Sequence, residues 1–182
     1  MMPHEFAFLI LDECASGTTV ASPGTTWRLI TDAVMGGVSR ARLARDRRLG
    51  RDCLCLQGEV SLDNQGGFVQ IALDLTPSGS LDASGYEGVM LEVFGNAERY
   101  NVHLRTAGMW LPWQSYRASF TAAAEWRTIR IPFARFEAYR IAKPLDVSRL
   151  KRLGVVAIGR AFDADLCLAR LALYRADEPE PG

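Results

Sequence analysis

Short runs of alternating apolar and polar residues recur along the chain, and helical periodicity is scarce. Nine segments have the strand pattern: residues 6–11, 54–61, 68–75, 88–95, 100–106, 114–120, 126–132, 153–159 and 166–174. Glycine, proline, asparagine or aspartate lies between most of them, and these residues favour tight turns. The pattern therefore predicts an all-β protein, built as a single antiparallel β-sandwich.

The apolar positions of these segments predict the core. A short helix is expected at 146–152, capped by Asp146 or Ser148. We expect the following side chains to be mainly interior: Leu9, Leu56, Val60, Phe68, Ile71, Leu91, Val93, Val102, Leu104, Ile129, Ile131, Phe133, Val155 and Leu173.

Length and composition favour one domain. The chain has 182 residues, of which 48% are hydrophobic and 23% charged. Residues 1–176 are expected to form the sandwich, and the acidic, proline-rich residues 177–182 a frayed tail. The early apolar run at 6–11 is too short for a membrane span and lacks the layout of a secretory signal. No membrane span and a cytoplasmic location are therefore expected.

The charge pattern argues against nucleic-acid binding, because the formal net charge is zero. Six arginines concentrate in residues 40–51, on a predicted loop or hairpin. The segment lacks the interleaved aromatic residues of single-strand binders. We interpret it as a solvated turn or a docking edge for an acidic protein partner. Nineteen of the 21 basic residues are arginine, which is typical of a GC-rich, bacterial coding bias.

The four cysteines match no zinc or redox motif. Cys53 and Cys55 flank Leu54 in a predicted strand, which places both on one face. Together with Cys14 and Cys167 they are expected to be packed thiols, since free cysteine behaves as a small hydrophobe.

Two Gly-Gly pairs occur in similar surroundings, T-D-A-V-M-G-G-V-S at 31–39 and D-N-Q-G-G-F at 63–68. Neither has the lysine or the following helix of a phosphate-binding loop. We expect backbone geometry to require the glycines, and the side chains of Asp32 and Ser39 to bond turn amides. If the loops are neighbours, Asp32, Ser39, Asp63 and Asn64 offer oxygen ligands for calcium. Hydrogen bonding between the loops is the favoured reading, so no metal and no cofactor are predicted.

A polar surface is predicted where residues 100–106 and 114–120 pair as a hairpin. Alternation places Asn101, His103 and Arg105 on one face. Arg117, Trp113 and Trp110 could share that surface. Aromatic faces beside hydrogen-bonding groups suit sugar binding, whereas a solvated sheet face is the simpler interpretation.

Catalysis finds little support in the sequence. His103 is the only histidine placed for acid–base chemistry, and no G-x-S-x-G motif accompanies it. The strand carboxylates are chiefly Glu59, Asp74 and Glu92, and none has an evident partner. No catalytic residue is assigned.

The two glycine loops carry a family resemblance. V-M-G-G-x-S at 34–39, G-G-F at 66–68 and W-R-T-I-R-I-P-F at 126–133 resemble, in order and spacing, the complex I intermediate-associated protein 30 family. Its signature falls here on Asp32, Met35, Gly36, Gly37, Ser39, Asn64, Gly66 and Gly67. The resemblance implies a jelly-roll sandwich of the galactose-binding type, and it does not imply an enzyme. The best-known eukaryotic members assist assembly of mitochondrial complex I, but this chain is expected to lack a mitochondrial targeting segment, so the mitochondrial role is not carried over.

These observations predict a non-catalytic protein that binds a protein partner, in the manner of a complex I assembly factor or chaperone. The expected interface combines the M-G-G loop with the polar surface of Asn101, His103, Arg105 and Arg117, flanked by Trp110 and Trp113. The alternative is a carbohydrate-binding module that uses the same surface for a glycan.

Overall fold

The computed structural model describes residues 8–14, 21 and 23–176. Strands alternate with short turns and four short 3-10 helices, at Asp32–Met35, Asp63–Gln65, Phe133–Arg135 and Val147–Arg149. The twelve strands among the described residues are β1 Phe8–Asp12, β2 Arg28–Thr31, β3 Arg40–Arg48, β4 Arg51–Val60, β5 Phe68–Asp74, β6 Gly88–Phe94, β7 Arg99–Thr106, β8 Ser115–Thr121, β9 Arg127–Pro132, β10 Glu137–Tyr139, β11 Leu150–Ile158 and β12 Phe162–Tyr174.

The strands form two six-stranded antiparallel sheets. The first sheet has the order β3-β4-β12-β6-β9, and the second has the order β10-β8-β7-β11-β5-β2. Strand β12 is the longest and has three neighbours: β4 and β1 pair with successive parts of one edge, and β6 pairs with the other. The predicted jelly-roll sandwich is confirmed.

The core lies between the sheets, where the inward apolar side chains of both sheets meet. Thirteen of the fourteen predicted core residues are buried or pack against the core cluster. Phe68 is the exception. It is partly buried outside that cluster, because Val69 and Ile71 take the inward positions of β5.

Several predicted boundaries need correction. The arginine-rich segment is a hairpin, the second of the two predicted alternatives, because β3 pairs along its whole length with β4. The predicted helix at 146–152 is reduced to a three-residue turn, in which Asp146 accepts a hydrogen bond from the backbone N–H of Ser148. Leu150 already belongs to β11, since its side chain is fully buried in the core. Strands β2 and β10 were not predicted as separate elements.

The prediction of four free thiols is wrong for two of them. Cys55 and Cys167 face each other across β4 and β12 and form a disulfide. Cys14 and Cys53 are buried free thiols. Spacing could not reveal this pair, because the two residues lie 112 positions apart.

No helix of the described part of the chain is long and apolar enough to cross a membrane. The predicted tail at 177–182 lies outside the described residues.

Candidate functional site

The two glycine loops meet at the side chain of Asp32, which has no exposed surface. Its Oδ1 accepts a hydrogen bond from the backbone N–H of Ser39 at 3.0 Å. Its Oδ2 accepts from the Ser39 hydroxyl at 2.5 Å and from the N–H groups of Gly67 at 2.6 Å and Phe68 at 3.3 Å. One carboxylate therefore links the loop after β2 to the loop before β5.

This donor set favours hydrogen bonding over the calcium alternative. Burial raises the pKa of Asp32, but the hydrogen bonds from Ser39, Gly67 and Phe68 outweigh it and lower the pKa below 3.8. The carboxylate oxygens already face hydrogen-bond donors, whereas a cation needs their lone pairs. Asp63 and Asn64 are exposed.

The glycines are required for two different reasons. A Cβ on Gly37 would lie 2.4 Å from Cγ of Asp32, and one on Gly66 would lie 2.5 Å from its Oδ2. Gly36 and Gly67 instead have positive φ angles of 86° and 133°, which side chains disfavour. The loops therefore approach as closely as they do only because these side chains are absent.

The loops carry exposed apolar side chains that sequence analysis did not single out, apart from Met35. Val34 is 74% exposed and Met35 60%. Val38 and Leu62 are also exposed. We call these four residues the glycine-loop patch. The sequence does contain a signal for this exposure. Apolar residues in a glycine-rich turn belong to no strand, so they have no sheet face through which to reach the core.

The outer face of the second sheet holds the predicted polar residues. The register places His103 between Gly154 of β11 and Arg117 of β8, and places Asn101 opposite Ser119. A Cβ on Gly154 would lie 2.8 Å from Oε1 of Gln70, so the Gln70 side chain crosses this glycine. Sequence reasoning missed Gln70 and Gly154, because the crossing depends on the pairing of β5 with β11.

His103 is unsuited to act as a base near neutral pH. Burial lowers the pKa of its imidazole to about 3, and the charge of Arg117 lowers it further. The ring therefore stays neutral, with its Nε2 3.4 Å from Nδ2 of Asn101. Two of the candidate carboxylates are ion-paired: Asp74 with Arg152, and Glu92 with Arg51.

Arg117 is held in place on this face. Its Nε donates to the Ser115 hydroxyl at 2.8 Å, and its guanidinium carbon lies 3.6 Å from the centre of the Tyr139 ring. One face of the Tyr139 ring is therefore covered by a cation.

Arg105 organises the β7–β8 loop rather than facing solvent as a free group. Its guanidinium donates to the carbonyl oxygens of Met109, Leu111, Pro112 and Gln114. The loop presents Trp110, which is 89% exposed, and Trp113, which is half exposed. The predicted group of Arg105, Trp110 and Trp113 is brought together, but Arg105 serves as the support of the loop.

The glycine loops and the tryptophan loop lie at opposite ends of the second sheet. Thr31, just before the first glycine loop, pairs with Val69 at the start of β5. Arg105, just before the tryptophan loop, pairs with Arg152, which pairs with Asp74 at the end of β5. A strand of this length spans about 20 Å. The outer sheet face therefore separates the two ends of the predicted interface.

A comparison of the sequence with models of protein families gives a match that covers both glycine loops. The model of the complex I intermediate-associated protein 30 family matches residues 18–167, which include both glycine loops. The chain belongs to this family. A comparison with curated proteins gave no match.

Solved structures show the fold of this family member to be that of carbohydrate-binding modules. A family 11 module of a cellulosomal cellulase from Clostridium thermocellum has a TM-score of 0.73 at 15% identity, covering 96% of this chain and 98% of that chain. The same kind of module in complex with a β-1,3-1,4-mixed-linked tetrasaccharide has a TM-score of 0.71 at 14% identity, over 94% and 98%.

A family 30 carbohydrate-binding module from the same organism has a TM-score of 0.57 at 16% identity, over 78% of this chain and 92% of that chain. Both the family and these structural neighbours are non-catalytic kinds of domain. At these identities the neighbours establish architecture alone.

Proposed function

We propose that this protein is a non-catalytic binding protein of complex I assembly, and that the glycine-loop patch contacts a subunit or assembly intermediate of that complex. The observation that carries the proposal is the exposure of Val34, Met35, Val38 and Leu62 on backbone fixed by Asp32. Exposed apolar groups on a rigid loop are typical of a protein contact.

The neighbouring charges support a protein partner with acidic groups beside an apolar anchor. Strand β3 begins directly after Ser39 and forms an edge of the first sheet. Its outward residues Arg40 and Arg42 are exposed. This edge therefore continues the apolar patch with positive charge, which favours acidic partners and disfavours pairing with another basic edge.

The proposal is tested in cells from which the gene has been deleted. The wild-type gene should restore assembled complex I on native gels and NADH:ubiquinone activity. Cells with the double variant Val34→Asp and Met35→Asp should accumulate assembly intermediates. The two carboxylates would have to lose their hydration water in the contact, which is unfavourable. Leu49→Asp is the matched control, since Leu49 is exposed at the distant β3–β4 turn.

Normal complex I levels in the deletion strain would contradict the assembly role. Normal complementation by the Val34 and Met35 double variant, at wild-type protein levels, would instead contradict the assignment of the patch. A cytoplasmic location remains a prediction, which fractionation of the same cells checks.

A second candidate function is glycan binding on the outer face of the second sheet. Because Gly154 has no side chain, the sheet surface is recessed at this position. Gln70, Asn101 and His103 offer amide and imidazole groups around it. The covered ring of Tyr139 weighs against sugar stacking. Calorimetric titration with the β-1,3-1,4-mixed-linked tetrasaccharide tests this candidate. Binding that is lost in Asn101→Ala and kept in Val34→Asp would favour it over the protein-binding proposal.

A further inference from the structure

Three cysteine sulfurs gather on the outer face of the first sheet, away from the glycine loops and the polar face. Cys55 and Cys167 are opposite each other on β4 and β12, and Cys53 precedes Cys55 by two residues on the same face. The three Sγ atoms all lie within 4.8 Å of one another. The Sγ atoms of Cys53 and Cys55 are 3.6 Å apart.

The surroundings of this cluster are apolar and closed. All three cysteines are buried, and Ala169, Phe94 and Trp126 pack against them. Trp126 is fixed by a hydrogen bond from its Nε1 to the backbone oxygen of Arg48 at 3.1 Å. The cluster is therefore shielded from water by two aromatic rings.

Positive groups lie on the outside of this aromatic cover. The guanidinium of Arg51 lies 4.8 Å from the centre of the Trp126 ring, and that of Arg48 lies 5.3 Å from the centre of the Phe94 ring. Each also has a carboxylate partner, Glu92 and Asp165 respectively. Burial raises the pKa of the Cys53 thiol, so thiolates form in this cluster only as a bound cation displaces their protons.

We propose that Cys53, Cys55 and Cys167 form a binding site for a soft monovalent metal ion, Cu(I), which opens when the Cys55–Cys167 disulfide is reduced. Reduction by a dithiol gives two thiols on the protein and converts the dithiol to its own disulfide. Cu(I) then forms three copper–sulfur bonds, displaces three protons to solvent and keeps its oxidation state.

The ligand set selects Cu(I) over Zn²⁺. Thiolate sulfurs are soft ligands and favour soft ions such as Cu(I). Structural zinc needs four ligands. Among the described residues no further histidine, cysteine or carboxylate joins the three sulfurs, and Phe94 and Trp126 occupy the remaining side.

The test uses the full chain, reduced with a phosphine under nitrogen and titrated with Cu(I) in competition with bicinchoninate. We expect one Cu(I) per chain, with a copper–thiolate absorption band. Cys53→Ser should weaken binding at least about tenfold. Cys14→Ser is the matched control, because it removes the other free thiol without touching the cluster. Cys53→Ala replaces the serine variant if circular dichroism shows that the latter is unfolded.

Several results would overturn the proposal. They are an absence of copper uptake, equal affinity in wild type and the Cys53 variant, tighter binding of Zn²⁺ than of Cu(I), and equal uptake by the oxidised and reduced protein. The oxidised chain should react with an alkylating agent at two cysteines when denatured, and the reduced chain at four. Four reactive cysteines before reduction would contradict the disulfide control of the site.

Discussion

Gly67 donates its backbone N–H to Oδ2 of Asp32 at 2.6 Å, although the two residues lie 35 positions apart. The bond joins the loop that leaves β2 to the loop that enters β5. Ser39 and Phe68 donate to the same carboxylate. The conformation of both loops, and the exposure of Val34 and Met35, therefore depend on one buried side chain.

Replacing Asp32 by alanine should destabilise the protein by about 3 kcal/mol or more, because several buried donors lose their acceptor at once. Urea unfolding measures the change. Asp63→Ala is the matched control in the neighbouring loop, where the side chain is exposed, and should change stability by less than about 0.5 kcal/mol. Equal small effects of both substitutions would contradict the role of Asp32.

The glycine substitutions should fall into two classes. Gly37→Ala and Gly66→Ala should be the more damaging, because their Cβ atoms collide with the buried Asp32 carboxylate. Gly36→Ala should cost about 1 kcal/mol, since its site is open and only the positive φ opposes alanine. Gly85→Ala is the control, with no backbone strain and no atom closer than 3.9 Å. Thermal melts rank the four variants, and a reversed order would contradict this explanation.

His103 should remain neutral well below pH 6. Its pKa is about 3 because burial, and then the charge of Arg117, disfavour the imidazolium. Between pH 6.5 and 3 the unfolded chain gains a proton that the folded chain does not, so the free energy of unfolding should fall as the pH falls. Above pH 6.5 the imidazole is neutral in both the folded and the unfolded chain, so His103 no longer makes the free energy of unfolding depend on pH.

An NMR titration of the His4→Gln variant, which leaves His103 as the single histidine, checks the pKa directly. His103→Gln should remove this part of the pH dependence of stability. A midpoint near 6.5 would contradict the buried, neutral state.

Loss of the Arg105 side chain should loosen the β7–β8 loop without unfolding the sandwich. Arg105→Ala leaves the carbonyl oxygens of Met109, Leu111, Pro112 and Gln114 without their shared donor. Amide hydrogen exchange in residues 107–114 should rise, while exchange in β11 stays slow. Arg117→Ala is the control, since Arg117 contacts Ser115 and Tyr139 instead. Because of this role, Arg105 is unsuitable as a test of direct partner binding.

Sequence periodicity predicted the sandwich well because each central strand obeys it locally. In β7, Tyr100, Val102 and Leu104 are fully buried, whereas Asn101 and His103 are only partly buried. Periodicity failed for β3, where arginines occupy both faces of an edge strand and obscure the alternation.

The chemistry of the site depended on contacts between distant segments. The Gly-Gly pairs indicated unusual backbone, and the link between the loops through Asp32 and Ser39 agrees with the expected hydrogen bonding. The separation of the glycine loops from Trp110 could not be predicted, because it follows from the antiparallel pairing of β5 and β7 with β11. The Cys55–Cys167 disulfide could not be predicted either, because it follows from the pairing of β4 with β12.

The pairing of β12 also constrains how the molecule folds. This strand is the last of the described ones, and it pairs with β4, β6 and β1. During synthesis those three strands leave the ribosome with open hydrogen-bonding edges, and the first sheet closes only after Phe162–Tyr174 has emerged. Such late, long-range pairing is slow and exposes strand edges to aggregation. Loss of β12 alone would therefore leave β1 without a partner, and β4 and β6 each with one open edge, so protection by chaperones matters most until β12 has emerged.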